Sequence, residues 1–115
     1  MHELSLAQGL VRQLLDLCEA HGAGRVCRVV VEVGPFSGVV AASFRFGFEA
    51  LAATEAALRG ARLEIEAPPP SYRCTGCGKV SEAAAPGPPG RCPGCGGRMA
   101  PWGGGDLMLR RVEME

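Results

Sequence analysis

Apolar residues recur at helical steps from Leu6 through Leu10, Leu14, Leu17 and Cys18 to His21, which predicts an amphipathic helix over residues 5–21. Ser5 and Gln8 form a capping box before that stripe, and Gly22 supplies a left-handed residue after it. The period then changes. Residues 25–33, Arg-Val-Cys-Arg-Val-Val-Val-Glu-Val, place Cys27, Val29, Val31 and Val33 on one face and Arg28 and Glu32 on the other, a strand that Gly34-Pro35 ends. A second helix is expected from Val40 to Arg59, with Phe44, Phe48, Leu51 and Leu58 turned inward and Gly60 as its stop. Residues 62–67 alternate as a half-buried strand, and Leu107 to Glu115 reads as a final strand that can return to the first sheet.

Helix, strand, helix, strand in that order predicts an α+β fold: a small mixed β-sheet with two helices on one face, plus an inserted zinc-ribbon-like domain. Pro68-Pro69-Pro70 is a short stiff spacer. It sets the expected boundary between an α/β domain, residues 1–70 completed by strand 106–115, and a metal-binding domain, residues 71–105. Pro86-Gly87-Pro88-Pro89-Gly90 reads as a loop within the latter.

The insertion carries Cys74-Thr-Gly-Cys77 and Cys92-Pro-Gly-Cys95, with 14 residues between the pairs. Two such loops each offer two thiolates from a tight turn, the donor set of a closed tetrahedral zinc site. Gly78 and Gly96 follow the second cysteines and let the backbone curl so that amide protons point at sulfur. With Tyr72 as the only aromatic residue between Ser71 and Met99, a segment this short buries too little surface to fold unaided. Metal binding of roughly 10–16 kcal/mol offsets that deficit. Two disulfides, a rubredoxin-like iron site and a redox-active Cys-x-x-Cys are the competing readings. Cys18 and Cys27, on apolar faces, are expected in the core and not at the metal.

The chain has 115 residues, 47% of them hydrophobic and 21% charged, with formal net charge zero. It suits one domain with a small appendage and carries no general attraction to nucleic acid or anionic lipid. No apolar run is long enough to span a membrane. Glu3 stands where a signal peptide carries basic residues, and Gln8, Arg12, Gln13, Asp16 and Glu19 break the segment that follows. A cytoplasmic protein is expected, in a compartment that keeps thiols reduced and so weakens the disulfide reading.

At the other end, Met1-His2-Glu3 is a potential chelate. The Met1 amine, the His2 backbone nitrogen and the imidazole Nδ1 can close fused rings on one ion. Deprotonating the amide favours nickel(II) or copper(II) over tetrahedral zinc, and a further position remains for Glu3, water or a partner. His2 is bulky enough to hinder removal of Met1. The plain reading makes His2 an exposed terminal side chain and Glu3 a favourable charge near the first helix's amino end, with His21 a helix-terminal residue.

Taken together, Met1-His2-Glu3-Leu4-Ser5, Glu32-Val33-Gly34 with Ser37-Gly38, Phe44-Arg45-Phe46 with Phe48-Glu49, Leu63-Glu64-Ile65-Glu66, the paired cysteine loops and Gly105-Asp106-Leu107 resemble the HypA-type nickel metallochaperones of nickel–iron hydrogenase maturation. The resemblance spans nearly the whole chain. It implies a nickel-binding α/β domain with Ni(II) as transient cargo at the terminus, held by His2 with Glu3 and Met1 close by. It also implies structural Zn(II) on Cys74, Cys77, Cys92 and Cys95. The implied partners are a HypB-type GTPase and the hydrogenase large subunit, with urease accessory proteins as a further possibility. Nothing is catalytic in this reading, so it predicts no enzyme. Some relatives place a histidine beside a zinc-site cysteine. Here glycines follow the second cysteines and the only histidines are His2 and His21, so any pH response falls to His2 and the terminal amine.

Two rivals are a zinc-ribbon adaptor contacting nucleic acid or protein and a purely structural interaction subunit. Arg73, Lys79, Arg91 and Arg98 outnumber Glu82 in the ribbon, but aromatic stacking groups are nearly absent. Trp102 is either an interface anchor or a lid over the metal module. Arg110-Arg111 reads as a solvated strand end, and Met99, Met108 and Met114 are too scattered for a thioether copper site.

Overall fold

The computed structural model describes residues 2–83 and 90–115. Helix α1 spans His2–His21, strand β1 Val26–Val33, helix α2 Ala41–Ala52, strand β2 Arg62–Glu66, β3 Ser71–Cys74, β4 Val80–Glu82, β5 Met99–Pro101 and β6 Leu107–Met114. A short 3-10 turn covers Ala56–Leu58. The strands form two sheets, ordered β2-β1-β6 and β4-β3-β5. No helix among the described residues is long and apolar enough to cross a membrane.

The chain divides into two compact units. The first comprises Met1–Glu32, Val39–Glu66 and Met108–Glu115. Its α1 begins at His2, three residues earlier than the apolar stripe suggests, so Ser5 and Gln8 lie inside the helix and form no capping box. The buried stripe is Ala7, Leu10, Val11, Leu14 and Cys18. Leu6 and Leu17 flank it half-buried, because the small Ala7 lets α2 approach closely. A Cβ on Gly47 of α2 would meet Ala7 Cβ and Leu4 Cδ1 at 3.6 Å. At the carboxyl end Ala23 N–H bonds Cys18 O and Gly22 N–H bonds Glu19 O, a Schellman ending with Gly22 at φ 64°.

Helix α2 stops at Ala52 and not at Arg59. Thr54 Oγ1 donates to Leu51 O at 2.7 Å, and Glu55 is extended. The hydroxyl thus competes with the helix ladder where the pattern alone continues. Leu58 still reaches the core through the 3-10 turn. Phe44 and Phe48 are fully buried, each contributing on the order of 1.5–3 kcal/mol by burial.

Strand β1 pairs with β2 in parallel, with Val29 opposite Leu63 and Val31 opposite Ile65. Helix α2 lies in the connection between them, as a parallel crossover requires. Strand β6 returns along the other edge of β1, where Arg25 and Glu115 exchange backbone hydrogen bonds. Arg28 of β1 ties all three strands: its guanidinium donates to both Glu64 oxygens on β2 and to Glu113 on β6. Cys18 is buried, while Cys27 is only half-buried, because the closely covered side chains of β1 include Val26 and Val30 as well as Val29 and Val31.

The second unit comprises Ala67–Leu107 together with Val33–Gly38. The sequence pattern groups residues 33–38 with the first domain. They join the second unit through Phe36, whose ring meets Tyr72 edge-on with centroids 5.5 Å apart. Phe36 N–H bonds Gly104 O, and Gly34 N–H bonds Asp106 O. The backbones approach so closely that a Cβ on Gly34 would fall 2.3 Å from Gly104 O. Residues 86–89 of the expected proline-glycine loop lie outside the described residues.

Candidate metal centre

Strand β3 delivers Cys74 at its carboxyl end, and the chain turns at once. Gly78 N–H bonds Cys74 O at 3.0 Å, and Cys74 N–H bonds Lys79 O at 2.8 Å. The second loop repeats both bonds: Gly96 N–H to Cys92 O at 2.8 Å and Cys92 N–H to Gly97 O at 2.9 Å. Gly78 and Gly96 sit at φ 79° and 73°, where a side chain is strained. They make the turns. The amides that point at sulfur belong to other residues: Gly76 and Cys77 donate to Cys74 Sγ, and Gly94 donates to Cys92 Sγ. Thr75 joins the loops, its backbone N–H and its hydroxyl both donating to Arg98 O.

The result brings the sulfurs of Cys74, Cys77, Cys92 and Cys95 within 4.8 Å of one another. Cys74 and Cys92 are buried, and Cys77 and Cys95 are exposed. Amide donation from Cys77 and Gly76 draws the Cys74 thiol down to about 6, and amides of Cys95 and Gly94 lower Cys92 in the same way. At Cys95 the Gly97 amide pulls downward, but the sulfurs of Cys74 and Cys77 outweigh it and push the thiol up to about 11. Crowded sulfurs therefore resist becoming thiolate together unless a cation compensates them. An all-thiolate donor set in this closed arrangement fits zinc.

Gly97 is a constraint that the sequence reading missed. A Cβ there would lie 2.9 Å from Cys74 Sγ and 3.2 Å from Cys95 Sγ. Its only signal was the second glycine of Gly96-Gly97 after Cys95. Trp102 is half-exposed, with the Arg73 guanidinium 4.6 Å from its ring centroid.

In the first unit His2 and Glu3 stand together at the start of α1. His2 is exposed, and its Nδ1 lies 3.6 Å from Glu3 Oε2. The same carboxylate oxygen accepts the Val40 N–H at 3.2 Å. Val40 is the N-cap of α2 and has no side-chain cap; Glu3, from the neighbouring helix, satisfies the N-cap residue's own N–H, the donor that a capping-box carboxylate takes. The Val40 amide, then Glu3's own amide and His2, hold the Glu3 carboxyl below its ordinary value. Met1 lies outside the described residues. Backbone N–H groups in the first turn of a helix have no intrahelical acceptor, so the His2 amide is uncommitted to the helix ladder.

The family model for hydrogenase/urease nickel incorporation, the metallochaperone HypA, matches residues 1–114. The chain belongs to the HypA family. The hydrogenase maturation factor HypA of Cereibacter sphaeroides is 37% identical over 115 residues, covering 100% of both chains. That of Caldanaerobacter subterraneus subsp. tengcongensis is 32% identical with the same coverage. That of Geobacter metallireducens is 44% identical over 80 residues, 69% of this chain and 68% of its own. A HypA protein solved in solution matches with TM-score 0.78 and 25% identity, over 100% of this chain and 97% of that one. The Ni metallochaperone HypA from Helicobacter pylori shares the fold, with TM-score 0.68 at 24% identity over 97% of this chain and 96% of its own. HypA membership makes this chain a nickel-incorporation metallochaperone by family, and the four clustered cysteines are its candidate structural metal site.

Proposed function

We propose that this protein binds Ni(II) at its amino terminus and delivers it, with a HypB-type GTPase, to the large subunit of nickel–iron hydrogenase in the cytoplasm. The observation that carries the reading is the exposed His2 paired with Glu3 at the first turn of α1, in a HypA-family chain. The Met1 amine, the His2 amide nitrogen and the His2 imidazole are the nitrogen donors. Glu3, anchored by the Val40 amide, stands beside them as a nearby carboxylate, its Oε2 3.6 Å from His2 Nδ1. A shallow terminal site lets an acceptor's ligands reach the ion directly, so transfer proceeds by ligand exchange and no substrate bond is broken. This is cargo handling, not catalysis.

Cys74, Cys77, Cys92 and Cys95 hold a structural Zn(II) in the same reading. The ion stabilises the second unit, which presents a docking surface to the partners. The family description also includes urease, and urease accessory proteins are further candidate recipients. The test is titration of the purified protein with nickel before and after His2→Ala. Stoichiometric high-affinity binding is expected in the parent and its loss in the variant, with zinc content unchanged. Equal nickel binding by both proteins would reject the terminal site.

A further inference from the structure

The sulfurs of the cluster differ in access. Cys74 and Cys92 are 2% and 3% exposed, whereas Cys77 and Cys95 face solvent. An open cavity of about 540 Å³ lies against the first loop, lined by Arg73, Thr75, Gly76, Cys77, Gly78 and Trp102 among others. Arg73 stands over that loop: its Nη2 is 3.5 Å from the position a Cβ on Gly78 would occupy. Among the described residues no carboxylate pairs with Arg73, whose contact is the Trp102 ring. Across the cluster, Cys77 Sγ lies 3.7 Å from Cys92 Sγ on the other loop.

We propose that Cys77 is an oxidation site for hydrogen peroxide, and that its oxidation ends in a cross-loop disulfide to Cys92 that costs the second unit its metal. This rests on the zinc reading above. The Cys77 thiolate attacks one peroxide oxygen. An S–O bond forms, the O–O bond breaks, and hydroxide leaves and is protonated to water. The Arg73 guanidinium lines the same cavity as Cys77 and supplies the positive charge that the departing hydroxide meets there. The Cys92 thiolate then attacks the Cys77 sulfur. An S–S bond forms, the S–O bond breaks, and a second water results. Two thiolates have lost two electrons in all, and the peroxide has gained them. The remaining pair, Cys74 and Cys95, does not retain a zinc ion by itself. Cys74 and Cys92 make up half of the buried cluster they share with Tyr72 and Met99, so oxidation also opens this unit's core. The terminal nickel donors lie in the other unit and are untouched, which makes the device a switch on docking and not on cargo binding.

The experiment uses the full-length protein, reduced and assayed for zinc before any treatment. Absence of bound zinc at that stage would sink the zinc reading together with this one. Hydrogen peroxide is then added and zinc release is followed with a chromogenic chelator, with disulfides mapped on non-reducing peptides. Release matched to one peroxide per zinc, Cys77–Cys92 as the first disulfide, and recovery with thiol reductant plus zinc are expected. Arg73→Gln should contain the same zinc beforehand and release it several-fold more slowly. Zinc retained under excess peroxide, a different first disulfide, or an Arg73→Gln variant as fast as the parent would overturn the proposal and leave the zinc reading standing.

Discussion

The two units bury different kinds of atoms. The first packs Phe44, Phe48, Leu14, Leu58 and the valines of β1 between two helices and a sheet. The second buries Tyr72, Cys74, Cys92 and Met99, with Phe36 and Ala83 against them. Half of that buried set is cysteine sulfur that belongs to the metal cluster. A helix-and-sheet core of aliphatic and aromatic side chains supplies its own driving force. A core of four residues, two of them cysteines, buries far less, and an ion bound by the cysteines would supply the missing folding energy. The difference separates a scaffold that holds its shape from a module whose shape is conditional.

The strongest way to break the comparison is to remove the metal. Stripping it with a chelator should cost the second unit binding energy on the order of 10–16 kcal/mol, and replacing Cys92 by Ser should cost part of that by removing one of the four thiolates. Trp102, the chain's one tryptophan, reports on that unit by fluorescence, while far-UV circular dichroism should retain the helical signal of α1 and α2. Simultaneous loss of both signals would mean that the units are not energetically separate.

The mirror experiment is Phe48→Ala, which empties a fully buried ring position in the first unit. About 3–5 kcal/mol should be lost in denaturant unfolding followed by helical signal, with zinc content unchanged. A finer probe of the second unit is Gly97→Ala, whose Cβ would lie 2.9 Å from Cys74 Sγ. Zinc affinity should fall roughly 10- to 100-fold in competition with a chromogenic chelator. An unchanged affinity would show that the loops can yield by a few tenths of an ångström.

The smallest effect expected is an ordering on acidification. Metal retention needs thiolates, so protons compete with the ion at all four sulfurs and zinc is lost as pH falls. In the first unit Arg28 holds the carboxyls of Glu64 and Glu113 below their ordinary values. Folded-state values that are depressed contribute stability above the unfolded carboxylate range, and that stability disappears as pH falls through the lower folded values. The second unit should therefore loosen first and the first unit later. A titration watching Trp102 fluorescence and helical circular dichroism together checks the order, and coincident transitions would contradict it.

Local signals carried much of this protein. Helical and alternating periods marked both helices and strands β1 and β2 of the first unit, because an amphipathic face is written at fixed spacing along the chain, but they carry no mark of the 3-10 turn at Ala56–Leu58. The paired Cys-x-x-Cys loops announced a metal cluster for the same reason: each supplies two donors from adjacent residues. Signals that depend on a distant neighbour were not legible. Glu3, in the first turn of α1, accepts the Val40 N–H 37 residues along the chain, whereas α2 ends early through a local competitor that apolar spacing does not weigh, the Thr54 hydroxyl on Leu51 O.

Order, period and donor chemistry were thus present in the one-dimensional string, since each arises among residues a few positions apart. Tertiary structure alone enrolled Phe36 in the metal-bearing unit, reserved position 97 for a residue without a side chain, and aimed Glu3 at the start of α2. Each of those outcomes joins segments tens of residues apart. They follow from which surfaces meet once the chain has closed on itself, and no local window of sequence contains that meeting.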